Sequence, residues 1–263
     1  MYKDLFTIFG YTIQTHAVIS VIAIIVGYGV AITMMKGTKY QSILDHLIFY
    51  LLIGAIIGAR FWHVFVFQWP YYSQHPLKIL MIWQGGISIL GAIVGGIAAL
   101  IIYVYKHKLD FWELADYLAP PMILAMGIGR AACLFSGGAF GSPTGSSFGM
   151  VFPEGTIAYE YYGSQPLWPA VIWESQGDIL IFAILFYVFG KQLFKGSVFT
   201  LFIFLYGMER FLLSFFRGDS PQYALGLTAG QWTSVALMVI AVILAIFIFV
   251  KYRFRKPREN VTG

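Results

Sequence analysis

The chain has 263 residues, of which 59% are hydrophobic and 11% are charged. A typical soluble domain carries about 25% charged residues, so this composition excludes an ordinary water-soluble protein. Its apolar content also excludes a disordered chain. The 17 Lys and Arg residues outnumber the 12 Asp and Glu residues, which gives a net charge of +5. We therefore expect an integral membrane protein.

Seven apolar runs with helical character follow one another, and a helical crossing needs about 20 residues. They lie at 12–35, 43–67, 82–105, 112–135, 168–190, 197–216 and 229–250. The sequence thus predicts an all-α, polytopic integral membrane protein with seven transmembrane helices. It contains no repeat or linker, so we interpret residues 1–263 as a single integral membrane domain.

Basic residues collect in the connections on one side of this arrangement. They are Lys36, Lys39, Lys106, Lys108, Lys191, Lys195, Lys251, Arg253, Arg255, Lys256 and Arg258. Cytoplasmic loops carry such an excess, which predicts an N-terminus outside and a basic cytoplasmic tail at 251–263. This placement accounts for the positive charge without a nucleic acid partner.

A long connection between the fourth and fifth runs, at about 137–167, is rich in Gly, Ser, Pro and Tyr and contains no Lys or Arg. Connections of this length are usually functional or disordered. Its aromatic residues favour a packed external arm, or cap, between helices 4 and 5.

Four arginines lie within or at the ends of the predicted helices: Arg60, Arg130, Arg210 and Arg217. A charge near the bilayer centre costs about 2.5–3.5 kcal/mol, so it usually faces a partner or a wet cavity. Each arginine could pair with a carboxylate or extend to the headgroups. Arg130 and Arg210 share a similar depth, which suits the binding of a lipid phosphate.

The embedded carboxylates Glu174, Asp178 and Glu209 could neutralise these arginines, or Glu174 could act as an acid, a base or an orienting group. His63 lies one turn from Arg60 and could be a base, or could hydrogen-bond across the bundle. The histidines lack metal-ligand spacing and Cys133 is alone, so we expect no metal site and no cofactor.

Several segments occur in the order found in the prolipoprotein diacylglyceryl transferases of bacteria. The central one, Gly127 to Gly141, has Gly-Arg130 opening a Gly-rich stretch and resembles that family's signature. The other segments are Gly58-Ala-Arg60, Trp83-Gln-Gly-Gly86-Ile-Ser88, Ala115 to Pro120, Phe148 to Pro153, Pro169 with Glu174, Tyr206 to Arg210 with Arg217, and Gly230-Gln231. They cover nearly the whole chain.

The resemblance implies a transferase of the bacterial inner membrane that moves a diacylglyceryl group from phosphatidylglycerol to the lipobox cysteine of a prolipoprotein. A thioether forms and glycerol phosphate is released. On this basis the catalytic candidates are Arg130, Arg210, Glu174 and His63. The substrate-binding candidates are Arg60, Gly86, Ser88, Ser136, Gly141, Tyr206 and Arg217.

The sequence departs from the family mainly at proton-handling positions. Leu90 stands at the family's histidine, and the other departures are Cys133, Gly138, Trp168, Ser214 and His16. The general base is therefore not identified. Three alternatives to the main interpretation stay open: a transferase with another acceptor, a divergent lipid-binding or lipid-translocating protein, and a structural subunit.

Overall fold

The computed structural model describes residues 4–8, 11–82, 85–191 and 193–255. These ranges contain nine α-helices. They are α1 (Thr15–Met35), α2 (Leu44–Trp62), α3 (Trp69–Gln74), α4 (Ile89–Lys106), α5 (Phe111–Ser136), α6 (Ile157–Tyr162), α7 (Ala170–Gly190), α8 (Ser197–Leu213) and α9 (Ala229–Arg255). A π-helical turn, His63–Phe67, extends α2.

Seven stretches are long and apolar enough to cross a membrane, which confirms the predicted polytopic helical fold. They are Thr15–Met35, Gln41–Phe67, Ile89–Lys106, Phe111–Ser136, Ala170–Gly190, Ser197–Phe216 and Ala229–Tyr252. Many large apolar side chains on them are exposed, as expected for helices that contact lipid.

Two of the predicted spans begin three or more residues later than the sequence indicated. Before α1, strand β1 (Asp4–Ile8) pairs antiparallel with strand β2 (Tyr11–Gln14), so the first helix starts at Thr15 rather than at residue 12. The third helix starts at Ile89 rather than at residue 82. Gly85 and Gly86 adopt φ values of +87° and +75° in the segment before it, which a right-handed helix excludes.

The chain divides into two compact units. The first unit comprises the residues up to Met34 and those from Ala115 onward, and the second comprises Met35–Leu114. The organisation as one functional domain stays a prediction.

Helices α5, α7 and α8 form the core of the first unit. Its buried members are Ala119, Ile123, Ile181, Leu185, Val198 and Phe202. The Asp116 carboxylate on α5 accepts hydrogen bonds from Gly196 N (2.6 Å) and Phe199 N (2.8 Å). A carboxylate in this position satisfies the free amide groups at the start of α8 and thereby fixes α8 against α5.

Residues 137–167, called the arm below, are packed as the sequence predicted. Phe140, Phe152, Ala158 and Leu167 form its buried core. Met150 and Leu167 exchange two backbone hydrogen bonds, of 2.8 and 2.9 Å. The arm therefore has its own hydrophobic interior.

In the second unit, α2 and α4 pack at close range through small residues. A methyl group on Gly58 would overlap the backbone of Gly91 and Gly95, and one on Gly95 would overlap Gly54. Such spacing lets two helix backbones approach each other.

Candidate active site

Three arginines of the first unit converge on the carboxylate of Glu174, which lies in the second turn of α7. Arg130 Nη1 is 3.0 Å from Glu174 Oε2. Arg210 Nη1 is 2.5 Å and Arg217 Nη1 is 2.9 Å from Glu174 Oε1. The Glu174 side chain is 3% exposed, so its carboxylate is shielded from solvent. One carboxylate thus holds cations from α5, α8 and the segment after α8.

Arg217 is held from two sides. Its guanidinium pairs with the Asp219 carboxylate through Nε and Nη2, in addition to Glu174. Burial opposes the charged form of Arg217, yet the hydrogen bond to Asp219 and the charge of Glu174 raise the pKa above its ordinary value. Arg217 thus pairs with two carboxylates, which is one of the alternatives that the sequence left open.

Two of these cations, Arg130 and Arg210, border a narrow cleft with about 160 Å³ of space, part of which is open solvent at its mouth. Its wall is formed by Arg130, Glu174, Asp178, Tyr206, Glu209 and Arg210. Gly127 brings α5 close to α7 here, because a methyl group at this position would lie 2.9 Å from Asp178 Cβ. The cleft therefore combines two guanidinium groups, three carboxyl groups and a phenol.

The arm is joined to this region through Gly141. Gly141 forms a β-bridge with Arg217, and the flanking bonds run from Ser142 N to Phe216 O (2.8 Å) and from Gly218 N to Phe140 O (3.1 Å). A side chain on Gly141 would overlap the Trp168 carbonyl group. Gly141 is thus a packing point that connects the arm to the segment carrying Arg217.

Ser136, at the end of α5, donates its hydroxyl hydrogen bond to Cys133 O at 3.0 Å. Its hydroxyl oxygen remains an acceptor in this arrangement. The expected contacts of Ser136, Gly141 and Tyr206 with substrate stay predictions.

The second unit contains Arg60, whose guanidinium is surrounded by backbone carbonyls. Nε donates to Ile79 O, Nη1 to Gly85 O and Gly86 O, and Nη2 to Lys78 O and Met81 O, at 2.5–3.3 Å. A guanidinium has five N–H donors, so all of them are used. The Tyr72 ring lies 5.1 Å from the guanidinium carbon. Arg60 thus fixes the described residues of the segment 78–86.

His63, Gly86 and Ser88 lie around this segment. The His63 ring packs against Gly86, where a methyl group would come within 2.7 Å of His63 Nε2. Ser88 caps α4 by accepting a hydrogen bond from Gly91 N, and its own amide donates to Ala59 O at 3.1 Å. Each of these contacts shapes the loop before α4. Their predicted roles in catalysis or substrate binding stay predictions.

Within the residues that the structure describes, no group of three or more His, Cys, Asp or Glu side chains has the arrangement of a metal site. The charged groups that line the cleft are guanidinium and carboxyl groups. They can bind an oxyanion, orient it and exchange protons.

Comparison with known proteins assigns the chain to a family. A family model described as prolipoprotein diacylglyceryl transferase matches residues 3–247. The chain belongs to this family. It is therefore a multi-pass membrane protein of a transferase family, in agreement with its seven apolar helices.

Individual relatives agree with this assignment, and each carries the name phosphatidylglycerol–prolipoprotein diacylglyceryl transferase. The protein of Staphylococcus haemolyticus is 35% identical over 252 residues, which cover 94% of this chain and 88% of the relative. The protein of Nostoc sp. is 34% identical, covering 80% and 76%. That of Symbiobacterium thermophilum is 32% identical, covering 92% and 88%.

For this transferase family member, sequence reasoning found the arginines and Glu174 but missed Asp219 and the position of Glu209. Asp219 follows Arg217 by two residues, and that short spacing was the available signal. Glu209 directly precedes Arg210, and adjacent side chains on a helix point in different directions. The sequence therefore offered no reason to place both in one site. Their presence in one cleft depends on the packing of α7 against α8.

Proposed function

We propose that this protein transfers a diacylglyceryl group from phosphatidylglycerol to the lipobox cysteine thiol of a prolipoprotein. Family membership supports the reaction. The observation that carries the site is the convergence of Arg130 and Arg210 on the two oxygens of one carboxylate, Glu174. Two guanidinium groups that share one carboxylate are also spaced to share one phosphate.

The chemistry requires charge stabilisation at the leaving phosphate. The thiol sulfur attacks the terminal glyceryl carbon, and the bond from that carbon to the phosphate oxygen breaks. The electron pair leaves with glycerol phosphate, so negative charge on the phosphate grows along the reaction. Cations fixed beforehand act most strongly on charge that develops in the transition state, which is the role we give Arg130 and Arg210.

Glu174 holds these cations in place before the lipid arrives. Its carboxylate neutralises them while the headgroup is absent, and the phosphate then competes for the same N–H donors. Arg217 stays tied to Asp219 during this exchange. We assign Glu174 to orientation of the arginines, and Arg217 and Tyr206 to contact with the headgroup.

The remaining candidates are given supporting roles. We propose that the polar surface near Ser136 and Gly141, beside the arm, receives the acceptor peptide. In the second unit, backbone carbonyl groups accept hydrogen bonds from all five N–H donors of Arg60. We therefore favour a positioning role for Arg60 over direct contact with the phosphate. Gly86, Ser88 and His63 are proposed to shape the same loop.

The proposed location is the bacterial inner membrane, with the N-terminus outside and the basic tail in the cytoplasm. The distribution of Lys and Arg supports this orientation. Arg130, Glu174 and Arg210 then lie toward the outer leaflet, where a secreted acceptor cysteine is accessible.

Transfer is tested with the full chain in vesicles that contain phosphatidylglycerol labelled in both halves and a lipobox peptide. We expect a diacylglyceryl peptide and free glycerol phosphate in equal amounts, and no product from a peptide with serine in place of cysteine. Lipid binding without either product would favour the alternative of a lipid-binding or lipid-translocating protein. The observation behind that alternative is Leu90, which replaces the family's histidine.

A further inference from the structure

Two further carboxyl groups share the cleft with the arginines. Asp178 lies one turn after Glu174 on α7, and Glu209 directly precedes Arg210 on α8; both line the cleft. The Asp178 side chain is 1% exposed, and the carboxylate oxygens of both residues are buried. No described residue donates a hydrogen bond to either oxygen of Glu209. A buried carboxylate oxygen without a hydrogen-bond donor destabilises the folded protein, so the position of Glu209 requires an explanation.

Glycine at position 177 allows Glu209 to reach this place. A methyl group on Gly177 would overlap Glu209 Oε1, so the carboxyl group rests directly on the α7 backbone. It lines the same cleft as the Asp178 carboxyl group, and a hydrogen bond between the two requires a proton on one of them. An ionised carboxylate can only accept, whereas a protonated one also donates. Uptake of one proton therefore joins Glu209 and Asp178 by a hydrogen bond.

The charged surroundings of Glu209 come from three helices. They are Arg130 on α5, Glu174 and Asp178 on α7, and Tyr206 and Arg210 on α8. Helix α9, which packs on α8, has no ionisable residue from 229 to 250. The cleft thus offers guanidinium groups for an anionic phosphate and, beside them, a carboxylate that gains a hydrogen bond when it takes up a proton.

We propose that Glu209 is the catalytic residue that accepts the proton of the acceptor thiol, with Asp178 as the partner that receives the resulting hydrogen bond. This role rests on the proposed function. As the sulfur–carbon bond forms and the carbon–oxygen bond breaks, the electron pair leaves with the phosphate and the thiol proton moves to a carboxylate oxygen of Glu209. After glycerol phosphate departs, the proton is released to water and the carboxylate is restored.

The thiolate is the nucleophilic form of cysteine, and its ordinary pKa of about 8.5 leaves little of it at neutral pH. A positioned base is therefore needed, and general bases contribute about 10²–10⁴-fold. Leu90, at the family's histidine position, has no proton-accepting atom. Glu209 supplies that atom beside the groups proposed to hold the phosphate.

The test uses the full chain in phosphatidylglycerol vesicles and two lipobox peptides, one with cysteine and one with selenocysteine. A selenol is already ionised at neutral pH and needs no base. Glu209→Gln should slow transfer to the cysteine peptide about 100-fold or more at pH 7. Its remaining rate should rise about tenfold per pH unit up to the pKa of the thiol. The selenocysteine peptide should restore the rate to within about tenfold of the unchanged protein.

Two control variants test whether the effect is specific to Glu209. Glu160→Gln, the same change at an exposed position on the arm, should leave both rates unchanged. Arg210→Ala should lose both, because ionisation of the nucleophile does not replace a phosphate ligand. If Glu209→Gln does not fold, Glu209→Asp withdraws the carboxylate by one methylene group. The Glu209→Asp variant should then transfer more slowly to the cysteine peptide and at an unchanged rate to the selenocysteine peptide.

Equal defects with both peptides would overturn the role of Glu209, as would a Glu209→Gln protein with normal cysteine transfer. Selenocysteine rescue of His63→Gln but not of Glu209→Gln would move the role to His63. In all three cases the unchanged protein still transfers, so the proposed function survives. An unchanged protein that is inactive with both peptides overturns the proposed function and the Glu209 role together.

Discussion

Arg130 Nη1 lies 3.0 Å from Glu174 Oε2, so the end of α5 is tied to the start of α7 by an ion pair in which the carboxylate is almost fully buried. The same carboxylate binds Arg210 and Arg217 through its other oxygen. Glu174 is therefore the shared counter-ion of three guanidinium groups from separate segments of the chain.

Replacement of Glu174 by Gln should destabilise the protein. The amide keeps the size of the side chain but removes the charge that three arginines share, and loss of one partner from a buried ion pair costs about 3–5 kcal/mol. Because Arg130 and Arg210 are 19% and 24% exposed, solvent recovers part of this, and we expect a loss of about 3 kcal/mol in the free energy of unfolding. Thermal unfolding in detergent micelles measures it. Glu160→Gln should change stability by less than about 0.5 kcal/mol, and an equal shift for both variants would contradict the shared counter-ion role.

Arg210→Lys should abolish most transfer while preserving the fold. Lysine keeps the positive charge but lacks the planar fork that binds a phosphate through two donors. Loss of one donor to a developing oxyanion lowers kcat about 10²–10³-fold, and we expect a fall in that range. Initial rates at saturating phosphatidylglycerol measure it. The control is Lys106→Arg, which exchanges the same two residue types at an exposed position. An Arg210→Lys variant that kept more than about a tenth of the activity would remove bidentate binding from the mechanism.

The spans were predictable because apolar runs of sufficient length alternate with basic connections along the chain. Their starting points were less predictable. Hydropathy does not separate a strand from a helix, so β2 was included in the first span. It also does not record backbone angles, so the positive φ of Gly85 and Gly86 was missed before α4.

The site was predictable where residue type alone carries the information. An arginine inside a membrane needs an anionic partner, and Glu174 was one of three embedded carboxylates that the sequence offered. The donors of Arg60 were not predictable, because backbone carbonyls at 78–86 leave no signature in residue type. The contact of Glu209 with Gly177 depends on the packing of two helices, which spacing along one helix does not reveal.

Asp116→Ala should weaken the junction between α5 and α8. The carboxylate accepts from two amide groups at the start of α8, and removal of a helix cap costs about 0.5–2 kcal/mol. Asp116→Asn keeps one acceptor oxygen and should lose about half as much. Thermal unfolding of both variants gives the order, and transfer per folded molecule should stay within about twofold, because Asp116 lies at the opposite end of α5 from Arg130. A larger loss for Asn than for Ala would contradict the capping role.

Arg60→Lys should loosen the loop before α4. An ammonium group has three donors and no planar fork, so at least two of the five carbonyl groups held by Arg60 lose their partner. Hydrogen bonds from a charged donor contribute about 1.5–3 kcal/mol each. Water replaces part of this loss, so we expect the free energy of local opening of the loop to fall by about 2–4 kcal/mol. Hydrogen exchange at the amides of Met81 and Gly85, which bond within the loop, should accelerate accordingly. The amide of Gly163 in the arm, bonded to Tyr159 O, is the internal reference and should exchange at its original rate. Unchanged exchange at Met81 and Gly85, in an Arg60→Lys variant that is folded, would show that the loop holds its conformation without the guanidinium group.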